Sequence, residues 1–488
     1  MNRLLVLPLL AASALPGVAD AKRTLGTLVF EPCALSPGHL ALTVEAQCAR
    51  LEVPEDRAKP DGRKIALHVA WVPNDAGAEP DPVFFLAGGP GQAASESYPL
   101  LHSAFAETRR KRHLILVDQR GTGRSNRLAC KTGDGESGFS DGDPDDPAAS
   151  VAFVKRCRAS LDADVRHYTT TDAVADLEAV REAIAAERID LVGVSYGTRV
   201  AQQYAKRHPA RTRAIVLDGV VPNTLTLGAE HAKNLEAALD AHFARCAAEP
   251  TCVDRFGSPR VHLDALLAEA RANPKTVRYR DPQSHALRED RFDAATLAAV
   301  VRLYAYAPNT AALLPLALNE AAQGRPEELI AQARMLTSLV GESIMHGMQL
   351  SVTCTEDAPK LSADRADAST TLGTALVDLL IAQCAAWERG EAPADFNAPL
   401  ATEVPALMLS GELDPVTPPR YGDEVAKTLP NARHLVLRGQ GHNVIGQGCA
   451  PKLLARFLDR LDAKGLDAKC LDSLTYVPPF AGYYGWEP

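Results

Sequence analysis

The chain has no surplus of positive charge. Its 488 residues carry 52 Lys and Arg against 61 Asp and Glu, a formal net charge of -9. Nucleic acid and anionic membranes need a basic face, so neither is expected as the main partner. Long apolar runs are also missing, since beyond the first residues no segment approaches the ~20 uninterrupted apolar residues that span a bilayer. C-x-x-C spacing is absent, which speaks against a zinc ribbon or a thioredoxin-type redox site. There is no internal repeat, and the one biased stretch, residues 134–146 (DGESGFSDGDPDD), reads as a solvated acidic loop.

What is present is ordinary for a soluble globular protein: 46% hydrophobic and 23% charged residues. The length suits one large core with an insertion, or two cores. The opening MNRLLVLPLLAASALPGVADA has a basic start at Arg3, an apolar stretch over 4–15 and an A-x-A pattern at 19–21. It reads as a secretory signal peptide cut after Ala21, predicting a periplasmic or secreted mature protein. Ten cysteines, an even number behind such a leader, suggest disulfides. Sequence alone leaves the connectivity open. The cysteines fall into five couples with short gaps, so neighbour pairing is expected: Cys33 with Cys48, Cys130 with Cys157, Cys246 with Cys252, Cys354 with Cys384, and Cys449 with Cys470.

A serine stands between two glycines in LVGVSYGTRV, residues 191–200. G-x-S-x-G arises by accident roughly one time in six in a chain of this length, so its setting matters more than the pattern. Ile189–Val194 reads as a buried strand and residues 198–207 as an amphipathic helix. A strand turning sharply into a helix through Gly193, Ser195 and Gly197 makes a nucleophile elbow, in which small neighbours let a strained serine stand above a sheet.

Strand patterns at 63–73, 82–86, 113–117 and 214–217 and a helix pattern at 171–186 surround this element. Strands alternating with helices predict an α/β fold with a mostly parallel sheet and a site at the carboxyl ends of its strands. From 224 to 395 the pattern turns mostly helical, with one clear strand candidate at 276–280; strand periodicity returns at 404–410 and 433–437. The reading is a signal peptide over 1–21, an α/β core over 22–223, a helical lid inserted over 224–395, and the rest of the core over 396–488.

The resumed strands lead to Asp414 and His442, each in the loop just beyond its strand. A nucleophilic serine needs a base to take its proton, and the base needs a carboxylate to fix its tautomer. The order Ser195, Asp414, His442 is that of α/β-hydrolases. Asp218, after the strand at 214–217, is the rival acid; Asp172 and Asp176 read as helix-start residues. The developing oxyanion wants two backbone N–H donors, expected from Tyr196 and from Gly89 of the Ala-Gly-Gly-Pro-Gly loop. A neutral histidine base implies activity rising through a pKa near ~6 to 7.

GGPGQ, VDQRGTGRSN, GVSYGTRVAQQYA, SGELDPVTPP and GQGH together resemble the proline iminopeptidase and tripeptidyl aminopeptidase branch of the α/β-hydrolases. The resemblance spans essentially the whole mature chain, including the region around Cys449. One departure is Ala87, where iminopeptidases carry histidine. The resemblance implies a serine hydrolase that releases a short peptide or single residue from a free N-terminus, with peptide as partner and no metal or organic cofactor. It places an acid for the substrate ammonium at Glu356 or Asp357 after Cys354, against a plain reading of both as solvated loop charges. DQRGTGRS reads as structural, with Asp118 and Arg120 bracing the loop. An esterase on the same machinery and a non-catalytic binding protein are the competing readings.

Overall fold

A computed structural model describes residues 22–482, apart from 39, 75–76, 133–135 and 138–146, together with 485. The expected leader and most of the acidic stretch lie outside these residues.

Ten strands form one sheet: β1 (Arg23–Leu25), β2 (Leu28–Leu35), β3 (Val44–Pro54), β4 (Lys64–Val72), β5 (Val83–Leu86), β6 (Leu114–Val117), β7 (Ile189–Val194), β8 (Thr212–Asp218), β9 (Ala406–Gly411) and β10 (Ala432–Leu437). Their spatial order is β1-β2-β3-β4-β6-β5-β7-β8-β9-β10. The first four run antiparallel to their neighbours. From β6 to β10 every pairing is parallel. The central strands β5 to β8 are almost wholly buried because helices cover both faces, which explains their continuous apolar sequences.

Side chains alternate between two cores. On β7, Ile189 and Leu191 join Val174, Leu177 and Val180 of α1 (Thr170–Ala183) and Val200 and Tyr204 of α2 (Tyr196–Arg207). Val192 and Val194 point the other way, to Tyr98 and to Leu453 and Phe457. Each buried Leu or Phe contributes ~1.5–3 kcal/mol relative to exposure.

β8 and β9 pair in the sheet but are separated in the chain by a mostly helical block, including α3 (His231–Ala248), α4 (Ala294–Ala305) and α5 (His346–Glu356). Part of the block has a core of its own around Leu239, Leu263, Val301 and Leu318. The strand expected at 276–280 is Lys275–Arg280, paired with Leu287–Phe292. The second strand, LREDRF, is mostly exposed and so lacks an apolar signal. β1 to β3 likewise carry no clear strand signal in the sequence. Their partly exposed faces leave a weak alternation.

Asp172 is a helix-start residue as expected, the N3 acid of a capping box with Thr169. Asp176 is not: one turn further on, it is buried and takes two hydrogen bonds of 2.7 Å from Arg120. The reason is that Arg120 is fully buried beneath the loop after β6 and needs a compensating carboxylate. The ten cysteines lie in five bonded couples, Cys33–Cys48, Cys130–Cys157, Cys246–Cys252, Cys354–Cys384 and Cys449–Cys470. Among the described residues no helix is long and apolar enough to cross a membrane.

Candidate active site

β7 ends in the IDLVGV run and passes the chain to Ser195 at φ 54 and ψ -124. A positive φ at a residue with a side chain stores ~1–3 kcal/mol of strain, which its surroundings must hold. Here the Ser195 N–H donates to the Asp218 carbonyl at 2.8 Å, and the Ser195 carbonyl accepts from the Thr198 N–H at 2.8 Å and its hydroxyl at 2.6 Å. The flanking glycines are required by space: a Cβ on Gly193 would lie 2.3 Å from the Gly197 carbonyl oxygen, and one on Gly197 would lie 2.2 Å from that of Leu86.

Above the elbow sits the glycine loop after β5. A Cβ on Gly88 would come within 3.2 Å of the Ser195 Cβ, and Gly89 has φ +106. The N–H groups of Gly89 and Tyr196 have no hydrogen-bond partner among the described residues. The Ser195 side chain is half-buried, and its hydroxyl likewise makes no hydrogen bond among the described residues. Such contacts often tighten only when substrate arrives.

His442 and Asp414 are directly joined. His442 Nδ1 lies 2.7 Å from Asp414 Oδ2, while the other carboxylate oxygen accepts the N–H groups of Val416 and Thr417, each at 2.8 Å. The Thr417 hydroxyl donates to Asp414 Oδ2 at 2.8 Å. Burial disfavours charge on both groups, but their mutual attraction prevails: Asp414 stays below the ordinary carboxylate range and His442 stays above the ordinary imidazole value.

Asp218 has a different job. Its carboxylate accepts the N–H groups of Val444 and Ile445 at 2.9 Å, pinning the loop that carries His442, while its carbonyl holds Ser195. The next residue, Gly219, packs close enough that a Cβ there would be 3.1 Å from His442 Cε1. Residues 218 and 219 thus tie the serine elbow to the histidine loop. Burial pushes Asp218 up to about 6, against the N–H bonds that favour its charge.

Neither acid of the Glu356–Asp357 pair is a solvated loop charge. Asp357 is fully buried, accepts two contacts of 3.1 Å from Arg199 Nη1 and takes the Leu227 N–H, so its charge is already balanced. Glu356 accepts the Thr170 N–H at 2.6 Å and its hydroxyl at 2.8 Å, and that hydroxyl lies 2.6 Å from the Tyr196 phenol. Burial pushes Glu356 up to about 8. The DQRGTGRS loop is held as its sequence suggested: Asp118 accepts from Ser95 and from the Arg124 N–H, and Arg120 reaches Asp176 and the carbonyls of Glu55 and His167.

The helical block supplies residues that the sequence did not mark. The Tyr306 carbonyl accepts the His442 N–H at 2.8 Å, and its ring meets the imidazole edge-on at 5.4 Å. Thr417 was legible in hindsight, three residues after Asp414 in an Asx-type turn. Tyr306 had no sequence signal, because its contact is made across more than a hundred residues.

A second Ser–His–Asp arrangement exists: His434 lies 2.9 Å from Ser410 Oγ and 2.8 Å from Asp423. Ser410 is fully buried within β9 and does not have a positive φ. The helix Pro419–Ala426 covers the ring so closely that a Cβ on Gly422 would be 2.5 Å from His434 Nε2. No substrate reaches it. Among the described residues, no group of three His, Cys, Asp or Glu side chains is arranged to hold a metal ion.

Residues 81–448 match the family model described as the alpha/beta hydrolase fold. The chain belongs to the α/β-hydrolase fold family. Within it, the chain is 25% identical over 478 residues to the serine protease Hip1 of Mycobacterium tuberculosis, covering 90% of each chain. It is 26% identical over 221 residues to a tripeptidyl aminopeptidase of Streptomyces coelicolor, covering 42% of this chain and 40% of that one. With a proline iminopeptidase of Neisseria gonorrhoeae the identity is 30% over 154 residues, 32% of this chain and 37% of the relative. This α/β hydrolase is therefore an enzyme of the serine-hydrolase class.

Proposed function

We propose that this α/β hydrolase is an exported serine peptidase that removes a short N-terminal segment from peptides with a free N-terminus. The observation that carries the reading is the His442–Asp414 pair, tied through residues 218 and 219 to the strained Ser195 elbow. In this mechanism Ser195 attacks the scissile carbonyl, His442 takes its proton and passes it to the leaving amine, and Asp414 stabilises the imidazolium. The unpaired N–H groups of Gly89 and Tyr196 receive the oxyanion. An acyl-enzyme forms and water then hydrolyses it. Relatives named as a serine protease and as aminopeptidases support the peptide substrate. The helical block is the lid that limits substrate depth, five disulfides support export, and the leader pattern places the cut after Ala21.

Of the two acids expected to hold the substrate ammonium, Glu356 is the better placed, because it reaches Tyr196 through one hydroxyl and makes no ion pair among the described residues, whereas Asp357 is paired with Arg199. Burial holds the Glu356 carboxyl up at about 8, and a bound ammonium favours the charged form and pairs with it.

The test is hydrolysis of chromogenic anilides of Pro, Ala and Ala-Ala-Pro, each with a free and an acetylated N-terminus, beside a short acyl nitrophenyl ester. Cleavage of the free-amine anilides, lost on acetylation, is expected, and the longest accepted peptide gives the number of residues released. Turnover of the ester alone would overturn the peptidase reading while leaving the serine chemistry intact.

The pH dependence follows from the same geometry. His442 works as a neutral base, and its pKa is raised, so kcat/KM rises with pH through a midpoint above the ordinary 6.5 rather than around it. A pH–rate profile with its acidic midpoint below 6.5 would contradict the assignment.

A further inference from the structure

Arginines removed from water in this protein carry partners. Arg112, Arg120, Arg181, Arg199 and Arg213 are buried or nearly so, and each engages a carboxylate. Arg302 breaks the pattern. It is half-buried on α4, and among the described residues it makes no hydrogen bond and no ion pair. A guanidinium partly withdrawn from water without a counterion is costly, and its planar fork matches a carboxylate.

Its position gives the vacancy a meaning. Arg302 lies four residues before Tyr306, which still has helical backbone, so the two side chains share one helix face a turn apart. Tyr306 is the residue that touches His442 through both its carbonyl and its ring. The same face therefore overhangs the histidine. The electrostatics agree: burial first and the Arg302 charge second push the nearby His231 down to about 3, and the same charge opposes the rise of His442.

His442 delivers its proton to the departing group, so the part of the site beside it receives the leaving half of the substrate. We propose that Arg302 anchors a carboxylate on that leaving half, as either the terminal α-carboxylate of a short peptide or an acidic side chain just past the scissile bond. The inference rests on the role given to His442 above. It gives the site a cation on the side of His442 and an acid, Glu356, reached through Tyr196, a pairing suited to a short peptide with both termini free.

The experiment compares kcat/KM at a pH on the active plateau for wild type, Arg302→Gln and Arg302→Lys. One arm uses Ala peptides of two to four residues, each as free acid and as amide. A second uses the four-residue amide with Asp or Asn at its last position. A third uses acetyl esters of 4-hydroxybenzoate and of its methyl ester, so that a carboxylate on the leaving group is tested even if no peptide is cleaved.

We expect the carboxylate form to be preferred by about tenfold or more in at least one arm. That preference should collapse toward unity in Arg302→Gln and survive in part in Arg302→Lys. The free-acid arm identifies the α-carboxylate as the ligand and the Asp arm the side chain. Equal rates throughout in wild type, or a preference that persists in Arg302→Gln, would overturn the proposal. Ester turnover without peptide cleavage would instead overturn the peptidase reading, and the ester ratio still decides the role of Arg302.

Discussion

Replacing Asp414 by Asn lowers kcat by ~10³ to 10⁴ with little change in KM. The size of the loss comes from a forced tautomer. In the native site one carboxylate oxygen of Asp414 accepts two backbone N–H groups, and the other faces His442 Nδ1 and the Thr417 hydroxyl. An asparagine can satisfy the two N–H groups only with its carbonyl oxygen. Its amide nitrogen then sits opposite Nδ1 and donates to it, which drives the ring proton to Nε2. That nitrogen can no longer accept a proton from Ser195. Asp218→Asn is the control, since Asp218 works through the backbone of the histidine loop and leaves the tautomer alone. Its loss in kcat is expected to be clearly smaller. Steady-state kinetics of both variants check this, and a larger loss at Asp218 would reverse the assignment of the acid.

The second large effect is structural. Gly197→Ala places a methyl group 2.2 Å from the Leu86 carbonyl oxygen and 2.7 Å from that of Ala87. Both obstacles are backbone, one at the end of a fully buried strand and the other just beyond it, so neither swings aside as a flexible side chain would. We expect destabilisation of ~3 kcal/mol. In the molecules that fold, β5 and the elbow are pushed apart, and a shift of ~1 Å in a reacting atom costs about 10²-fold in rate. Thermal unfolding and kcat on the folded fraction separate the two effects. A variant with unchanged Tm and full activity would show that the elbow is looser than its contacts imply.

How much of this was legible in the sequence depended on whether a residue's neighbours in space were also its neighbours in the chain. The elbow is local: strand, Gly193, Ser195, Gly197 and helix follow one another, so the sequence carried its geometry almost whole. The parallel strands β5 to β9 were readable because burial on both faces turns them into continuous apolar runs. β1 to β3 and the strand Leu287–Phe292 were not, since exposed faces dilute the apolar signal. Asp414 and His442 could be picked by their place after strands, but nothing local distinguished the work of Asp414 from that of Asp218. Only the partners separate them, an imidazole for one and backbone N–H groups for the other. For the same reason Asp176, which reads as a helix-start acid, turns out to balance Arg120. Tyr306 and Arg302 were invisible, because their meaning arises only where the helical block returns to the sheet.

The most direct measurement treats the purified enzyme with a fluorophosphonate, which transfers its phosphorus to an activated serine with loss of fluoride, and maps the adduct by mass spectrometry after digestion. A single adduct on the peptide containing Ser195, absent in Ser195→Ala, is the expected result. An adduct on Ser410, whose Ser–His–Asp contacts match the ideal distances yet are closed to substrate, or no adduct on an enzyme that turns over its substrates, would contradict Ser195 as the nucleophile.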